Sequence, residues 1–560
     1  MRSIFQTIVA AGALLFCVGA AAPPRIDYTL TPVMQDGALR AVQVNLRFRG
    51  EPDGESDLRL PDGWGGQNEL WTGIERLEII SGASAIRNGE AANQRIVTHR
   101  PNARIHLRYR VIQDWEGVPR AEIGNIYRPT IQPTYFHLIG NAFMVTPDAA
   151  DAGTRVRFRV RNLPRGWAYA SDFEHPDLRL DEVWSSVVVA GDFRILRDAR
   201  SNVRVAIRGA WQFSDAEFLS QAANILSSER AFWGDAAAPY LVTVLHLDGP
   251  EGWISIGGTG LDDAFAFFAT PNAEAGPIAR TLAHESFHTW ISPQVGGLPE
   301  DDQALQYWLS EGFTEFYTAR LMVRGGQWTA EQYAADLNEA LLAYAQSPVR
   351  TATNAQVLAN FWSDRDTQRL PYQRGRFLAM AWEARLRAAG LSMDDVVHDM
   401  RTRARSGQQY AVENFLTSAA GFGPNPTADI EANISQGTAI LLPEDLLAPC
   451  GPIVMYEAPV FHRGFDIRAT QANSNVIAGV DPNLPAYAAG LRNGMVLIRR
   501  DGGEIGNSEL EIGYVVRDDD TERTFRYMPR GADTFTVQRL HLAENLEGDR
   551  LAQCLSVIGG

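Results

Sequence analysis

The sequence predicts a multidomain α+β protein. Three observations predict it: strand-like alternation over the first third, helix-like periodicity through the middle, and a return to short strands near the end. The length agrees, since 560 residues are too many for one core and domains average about 150 residues.

Residues 22–205 read as an N-terminal β-sandwich-like domain. Val42, Val44, Leu46 and Phe48 alternate with polar residues, as do Ile105, Leu107, Tyr109 and Val111, and again Val156, Phe158 and Val160. Period-two runs between turn clusters such as PDGW and DAGT mark half-buried strands. Residues 206–440 become mainly helical. SDAEFLSQAANILSSERAF, EQYAADLNEALLAYAQ and RGRFLAMAWEARLRAAG place apolar residues three to four apart, and Gly390 ends the last of them as a C-cap does. A strand pair, YLVTVLHL then GWISIGG, precedes the helix that carries the main motif. A linker around LLPEDLLAPCGP leads into residues 441–560. There GFDIRA, NVIAGV, MVLIRR and RTFRYM read as short strands and PAYAAGL as a helix.

Residues 1–21 read as a signal peptide: Arg2, an apolar stretch from Ile4 to Val18, and small residues at Val18-Gly19-Ala20-Ala21. The stretch is shorter than the roughly 20 residues a spanning helix needs. The expectation is an exported protein, periplasmic or secreted, with no integral membrane segment after cleavage. Cys450 and Cys554 then remain, and export permits a disulfide between them, two free thiols being the alternative.

Charge and composition exclude several functions. The net charge is −16 with no basic stripe, so nucleic acid is not an expected partner. All 51 basic residues are arginine. Without lysine there is no P-loop, no Schiff base and no Ser-x-x-Lys dyad.

The chemistry lies in TLAHESFHTW, residues 281–290. His284 and His288 are four apart, so a helix presents both imidazoles on one face, as two ligands of a tetrahedral zinc ion. Glu285 sits beside them, where a general base reaches water without being a ligand. YWLSEGFTEFY supplies Glu311 as third ligand, 23 residues after His288 and beyond the turn-like QVGGLPEDD. Two imidazoles and a carboxylate leave a position open, which marks a catalytic site. Glu315 shares the face of Glu311 and either orients a ligand histidine or is a solvated charge. His99, His106, His137 and His175 have no partner at ligand spacing and read as structural.

These blocks, HESFHTW, WLSEGFTEFY and a downstream PYQRG, resemble the glycyl aminopeptidase family of zinc metallopeptidases. The resemblance implies an N-terminal β domain, a thermolysin-like catalytic domain and a C-terminal PDZ domain. It implies zinc as cofactor, peptides as substrates, and Tyr372 of PYQRG as the hydroxyl that supports the tetrahedral intermediate; from the residues alone Tyr372 is only a tyrosine before a helix. It also places GGTGLDDAF, residues 257–265, at a substrate-binding edge strand, with Gly258 and Gly260 in the strand. Asp262 stands there in place of a glutamate, ahead of Asp263, and is a candidate anchor for the substrate's amino terminus. The alternative is an aspartate that caps the local turn. VDPNLPAYAAGLRNGMVLIRRDGG, residues 480–503, resembles a PDZ domain whose strand near Gly464-Phe465-Asp466-Ile467 accepts a peptide ligand by β-augmentation; a PDZ-like unit that only packs on the catalytic domain is the alternative. The expected activity is release of small, Gly- or Ala-like N-terminal residues from peptides. A zinc endopeptidase and a non-catalytic PDZ peptide-binding protein are the competing readings.

Overall fold

The computed structural model describes residues 25–121, 125–173, 178–249, 254–423, 425–519 and 521–560. The signal-peptide reading and His175 lie outside them. Among the described residues no helix is long and apolar enough to cross a membrane.

Alternation does build a sandwich in the first 160 residues. Arg155–Val160, Arg25–Gln35, Ala38–Arg49, Arg104–Val111 and Ile74–Ser81 form one sheet in that order, and Thr146–Pro147, Glu55–Arg59, Gln94–His99 and Ala83–Asn88 form another. Tyr28, Val44, Leu46, Leu58, Val97, Leu107 and Tyr109 fill one core between them. A third sheet, Ala168–Ser171, Val187–Gly191, Tyr135–Ile139 and Thr130–Gln132, was not separated from the sandwich by sequence. Its two central strands are buried at every residue. Phe136, Leu138, Val188 and Ala190 point into the sandwich core, while Tyr135, Ile139, Val187 and Val189 pack on Leu241, Leu245, Ala266 and Phe268 of the middle unit. A strand covered on both faces reads as a continuous apolar run.

The middle unit starts earlier than residue 206. Arg194–Asp198 and Val203–Ile207 are the first two strands of its sheet, followed by Tyr240–His246, Ala264–Ala269 and Ile256–Gly260. The anticipated pair of YLVTVLHL with GWISIGG is therefore interrupted. AFAFFA lies between them, parallel to Tyr240–His246 and antiparallel to Ile256–Gly260. Every residue of it is buried, so it shows no alternation. Ile256–Gly260 is left on the edge of the sheet.

Helices follow. Asp215–Trp233, Ala275–Phe287, Tyr307–Arg324, Ala330–Gln346 and Arg365–Ala388 pack mainly through Phe287, Leu309, Phe313, Tyr317, Phe377 and Trp382. Tyr307–Arg324 and Arg365–Ala388 cross where Gly312 meets Gly375; a β-carbon on Gly375 would overlap the Trp308 carbonyl oxygen. Tyr372 lies inside the second of these helices and not before it. The helix begins at Arg365, capped by the Asp364 carboxylate on Thr367 N–H, and runs through Pro371.

Residues 441–560 depart further from expectation. Directly after LLPEDLLAPCGP comes strand Ile453–Phe461, paired with Arg530–Leu540, and a second sheet joins Val496–Arg500, Ile512–Asp518 and Thr521–Tyr527. GFDIRA is not a strand. The Asp466 carboxylate accepts from the N–H groups of Arg468 and Ala469 and starts helix Ile467–Ala472, because an aspartate N-cap outweighs a short apolar alternation. The strand proposed to accept a peptide at Gly464–Ile467 is thus absent. NVIAGV makes one isolated bridge, Val476 with Val496. PAYAAGL is helical over Pro485–Ala489 and ends at Gly490 in the left-handed region. Phe465, Ile477, Leu491, Tyr514 and Tyr527 give this unit its own small core. Its flanks belong to the middle unit: Cys450, Ile453, Leu540, Cys554 and Ile558 share a core with Leu309 and Tyr317. Cys450 and Cys554 are joined by a disulfide. The last helix, Gly548–Gly559, gives its Val557 and Gly559 carbonyls to Arg320 and Arg324, at 3.4 and 2.7 Å.

Candidate metal centre

His284 and Glu285 sit in the last turn of helix Ala275–Phe287, and His288 is its C-cap. Glu311 comes from helix Tyr307–Arg324, one turn in. His284 Nε2 and His288 Nε2 are 3.3 Å apart, and Glu311 Oε2 lies 3.4 and 3.2 Å from them. Three ligands each about 2.0–2.1 Å from a tetrahedral zinc ion stand about 3.3 Å from one another. The triangle therefore has the edge length of one face of a zinc tetrahedron. Glu311 Oε2 is buried and has no hydrogen-bond partner of its own. Among the described residues this is the cluster whose ligand atoms converge enough to hold a metal ion.

The outer nitrogens are also held. His288 Nδ1 is 2.8 Å from the Ile291 carbonyl, so Nδ1 carries the hydrogen and Nε2 the lone pair. Glu315 Oε1 is 2.9 Å from His284 Nδ1, which answers the question the sequence left open between a solvated charge and a ligand-orienting carboxylate in favour of contact. Arg280 grips Glu315 Oε2 and Asp336 Oδ1, at 2.6 Å each, and Arg376 reaches Asp336 Oδ2 at 2.7 Å. Arg280 is one turn before His284 and was missed, although its i−4 position was readable.

Burial opposes a proton on His284, but Glu311 and Glu315 outweigh it and lift the imidazole to about 10. A divalent cation bound in the triangle would take that proton's place. Burial likewise opposes charge on Glu311, yet His288 and His284 hold its carboxyl well below the usual range. Glu315 follows the same pattern with Arg280 and His284 as partners.

The Tyr372 ring stacks on His284, centroids 5.8 Å apart and 16° from parallel. Burial first, then the charges of Glu311 and Glu285, push its hydroxyl far above the ordinary tyrosine value. It keeps its hydrogen and remains a donor. The edge strand lies against Glu285: a β-carbon on Gly260 would sit 3.6 Å from Glu285 O and 3.8 Å from Glu285 Oε2. At Gly258 a β-carbon would meet the Phe265 ring and the Ala266 carbonyl. Asp262 occupies the turn after the strand. Its N–H donates to Ser185 O and Oγ, at 3.3 and 3.1 Å. Burial raises its carboxyl against a hydrogen bond from Ser185, with Asp263, Asp181 and Glu182 as the charges around it. These contacts tie Asp262 to Ser185. Tyr127, from the N-terminal domain, was missed altogether. Its hydroxyl donates to Gly258 O at 2.8 Å, and burial with the nearby Glu285 raises it to about 12.

Behind the motif, Ser286 Oγ lies 2.7 Å from Leu282 O and 2.9 and 2.8 Å from the two Glu229 oxygens. One hydroxyl hydrogen cannot serve three acceptors. Burial pushes Glu229 well above the usual range, against Ser286 and Arg230, which favours the neutral carboxyl with a hydrogen of its own. The unfolded chain loses that proton near the ordinary pKa and the folded chain only well above it. This contribution to stability is full in acid and declines as pH rises toward the native value. Glu229→Gln keeps a donor and removes the titration. It is expected to gain on wild type as pH rises, by at most about 1.4 kcal/mol per unit. Denaturant unfolding of both proteins at about pH 5 and about pH 8 checks this, and a difference independent of pH contradicts it.

Residues 278–373 match the family model of the Peptidase M61 family, the M61 glycyl aminopeptidases. A comparison with curated proteins gave no match. Among solved structures, an aminopeptidase N family protein from Idiomarina loihiensis shares the fold, with TM-score 0.63 and 15% identity over 95% of this chain and 100% of that one. An M1 zinc metallopeptidase from Deinococcus radiodurans is similar at TM-score 0.46 and 16% identity, over 75% of this chain and 95% of that one. Aminopeptidase A from Legionella pneumophila, in complex with aspartic acid, is similar at TM-score 0.43 and 11% identity, over 94% and 60%. With HESFH and Glu311 both inside the matched span, residues 278–373 resemble an M61 glycyl aminopeptidase domain, and the chain is a metallopeptidase.

Proposed function

We propose that the protein is an exported zinc aminopeptidase that releases small N-terminal residues from peptides. His284, His288 and Glu311 would hold the zinc and Glu285 is the general base. The observation that carries this reading is the triangle of 3.2, 3.3 and 3.4 Å among three ligand atoms, with Glu285 on the same helix. Bound there, zinc supplies Lewis acidity toward the scissile carbonyl and toward water. Glu285 takes the proton of the attacking water and hands it to the leaving amine. Tyr372 donates its hydroxyl hydrogen to the oxygen that becomes negative. Glu315, fixed by Arg280, holds the His284 ring in place from Nδ1. The cystine between Cys450 and Cys554 supports an oxidising compartment, in line with the signal-peptide reading. The small C-terminal unit is read as PDZ-like from its sequence. Because Ile467–Ala472 is helical, a role in bracing the peptidase helices is favoured over peptide capture.

Metal analysis of the purified protein, with turnover of matched free and N-acetylated peptides, tests the proposal. Zinc with preference for the free peptides supports it. Zinc with preference for the blocked ones makes the protein an endopeptidase, and no zinc removes the site. Tyr372→Phe is expected to lower kcat by about one to three orders of magnitude with little change in KM, because the hydroxyl acts in the transition state. Steady-state kinetics decide, and an unchanged kcat takes Tyr372 out of the reaction.

A further inference from the structure

A sheet edge is a template for another strand, and the edge beside Glu285 is Ile256–Gly260. Its polarity can be read off. In an antiparallel pair, hydrogen-bonded residues alternate with residues whose N–H and C=O face outward. The register pairs Ile256 with Ala269 through Gly260 with Phe265. At its two ends Thr270 N–H donates to Ser255 O at 3.0 Å and Leu261 N–H donates to Ala264 O at 2.9 Å. Odd-numbered residues therefore bond inward. Ile256, Gly258 and Gly260 turn their main-chain groups to the open side, where an extended peptide can pair.

That open side is already used from the N-terminal domain. The Tyr127 hydroxyl donates to the outward Gly258 carbonyl at 2.8 Å. Tyr127 is held for this task from both domains. Its ring meets Phe268 edge-on, centroids 6.0 Å apart, and it packs so closely on Gly65 that a β-carbon there would overlap it. Gly65 has φ of +56° and so suits a glycine twice over. Next along the edge, Gly260 lies against Glu285, and its carbonyl accepts only from the neighbouring Thr259 hydroxyl, at 3.3 Å.

We infer that Tyr127 is a length-determining residue: by occupying the Gly258 carbonyl it ends main-chain pairing of the substrate next to the reacting bond, so that a longer peptide gains nothing from the rest of the edge. This rests on the peptidase reading above. It assigns to the N-terminal β domain a direct part in choosing short over long substrates, through one hydrogen bond across the domain boundary.

The test is Tyr127→Phe, which keeps the ring on Phe268 and frees the carbonyl. Two nested peptide series share one scissile bond, one extended at the amino end and the other at the carboxyl end. In the variant the ratio of kcat/KM for the longest member of one series to that for the shortest is expected to rise about three- to tenfold over wild type, the scale of one main-chain hydrogen bond. Identical ratios in both proteins overturn the inference. Zinc content and thermal melting are read on the same samples. If Tyr127→Phe does not fold, Tyr127→Gln, whose amide can still donate to Gly258, must reproduce the wild-type length dependence, and a changed dependence overturns the inference. Zinc-loaded wild type that cleaves no peptide refutes the peptidase reading instead.

Discussion

Glu285→Gln is expected to bind zinc like the wild type and to lose about two to four orders of magnitude in kcat, the range associated with a removed general base. The reasoning is geometric. The three converging atoms belong to His284, His288 and Glu311, and none belongs to Glu285. Glutamine at this position keeps size and packing against the Gly260 edge, but its amide cannot take a proton from water. The substitution separates two functions of one helical turn, holding metal and moving a proton. Metal analysis and single-turnover kinetics on the same preparation are the measurement. Near-wild-type turnover with zinc bound would falsify the assignment of the base. Loss of zinc together with activity would instead make Glu285 part of the metal site.

Glu311→Gln is expected to weaken zinc by more than about 100-fold, whereas Glu315→Gln weakens it by about 10- to 100-fold, the effect of losing a partner behind a ligand. Glu311 is the only negative group in the triangle, and its carboxyl is held ionised by the two imidazoles against the pull of burial. An amide oxygen at the same place brings no charge to balance the cation. Glu315 touches His284, a proposed ligand, at Nδ1, on the far side of the ring. Competition with a chromophoric chelator ranks the two variants. Equal affinity of Glu311→Gln and wild type removes Glu311 from the ligand set. A larger loss for Glu315→Gln makes Glu315 the ligand and Glu311 its support.

The triangle was legible in the sequence because its parts are local. Two histidines within one turn of helix need no tertiary information, and the return of a second helix carrying Glu311 after QVGGLPEDD needs only loop length. The residues that were missed act across distance or through packing. Tyr127 is 131 residues from Gly258 and comes from another domain, so no spacing announces it. AFAFFA escapes sequence reading because burial on both faces erases the alternation by which strands are recognised. The helical periodicity placed Tyr372 before a helix, but the Asp364 cap begins the helix earlier and carries Pro371 and Tyr372 inside. GFDIRA read as a strand, but the Asp466 carboxylate caps a helix there and the cap prevailed.

The doubly covered sheet of residues 130–191 bears on how this molecule can be divided. Its central strands belong equally to the sandwich below and to the sheet that carries the edge strand above. A cut made at residue 206, where composition changes, splits strand Val203–Ile207 and bares Leu241, Leu245 and Phe268 to water. Such a surface promotes association between fragments. The catalytic half is therefore not a portable cassette: the adjoining sheet must travel with it, and because Thr146–Pro147 and Arg155–Val160, between the strands of that sheet, complete the sandwich, the sandwich travels too.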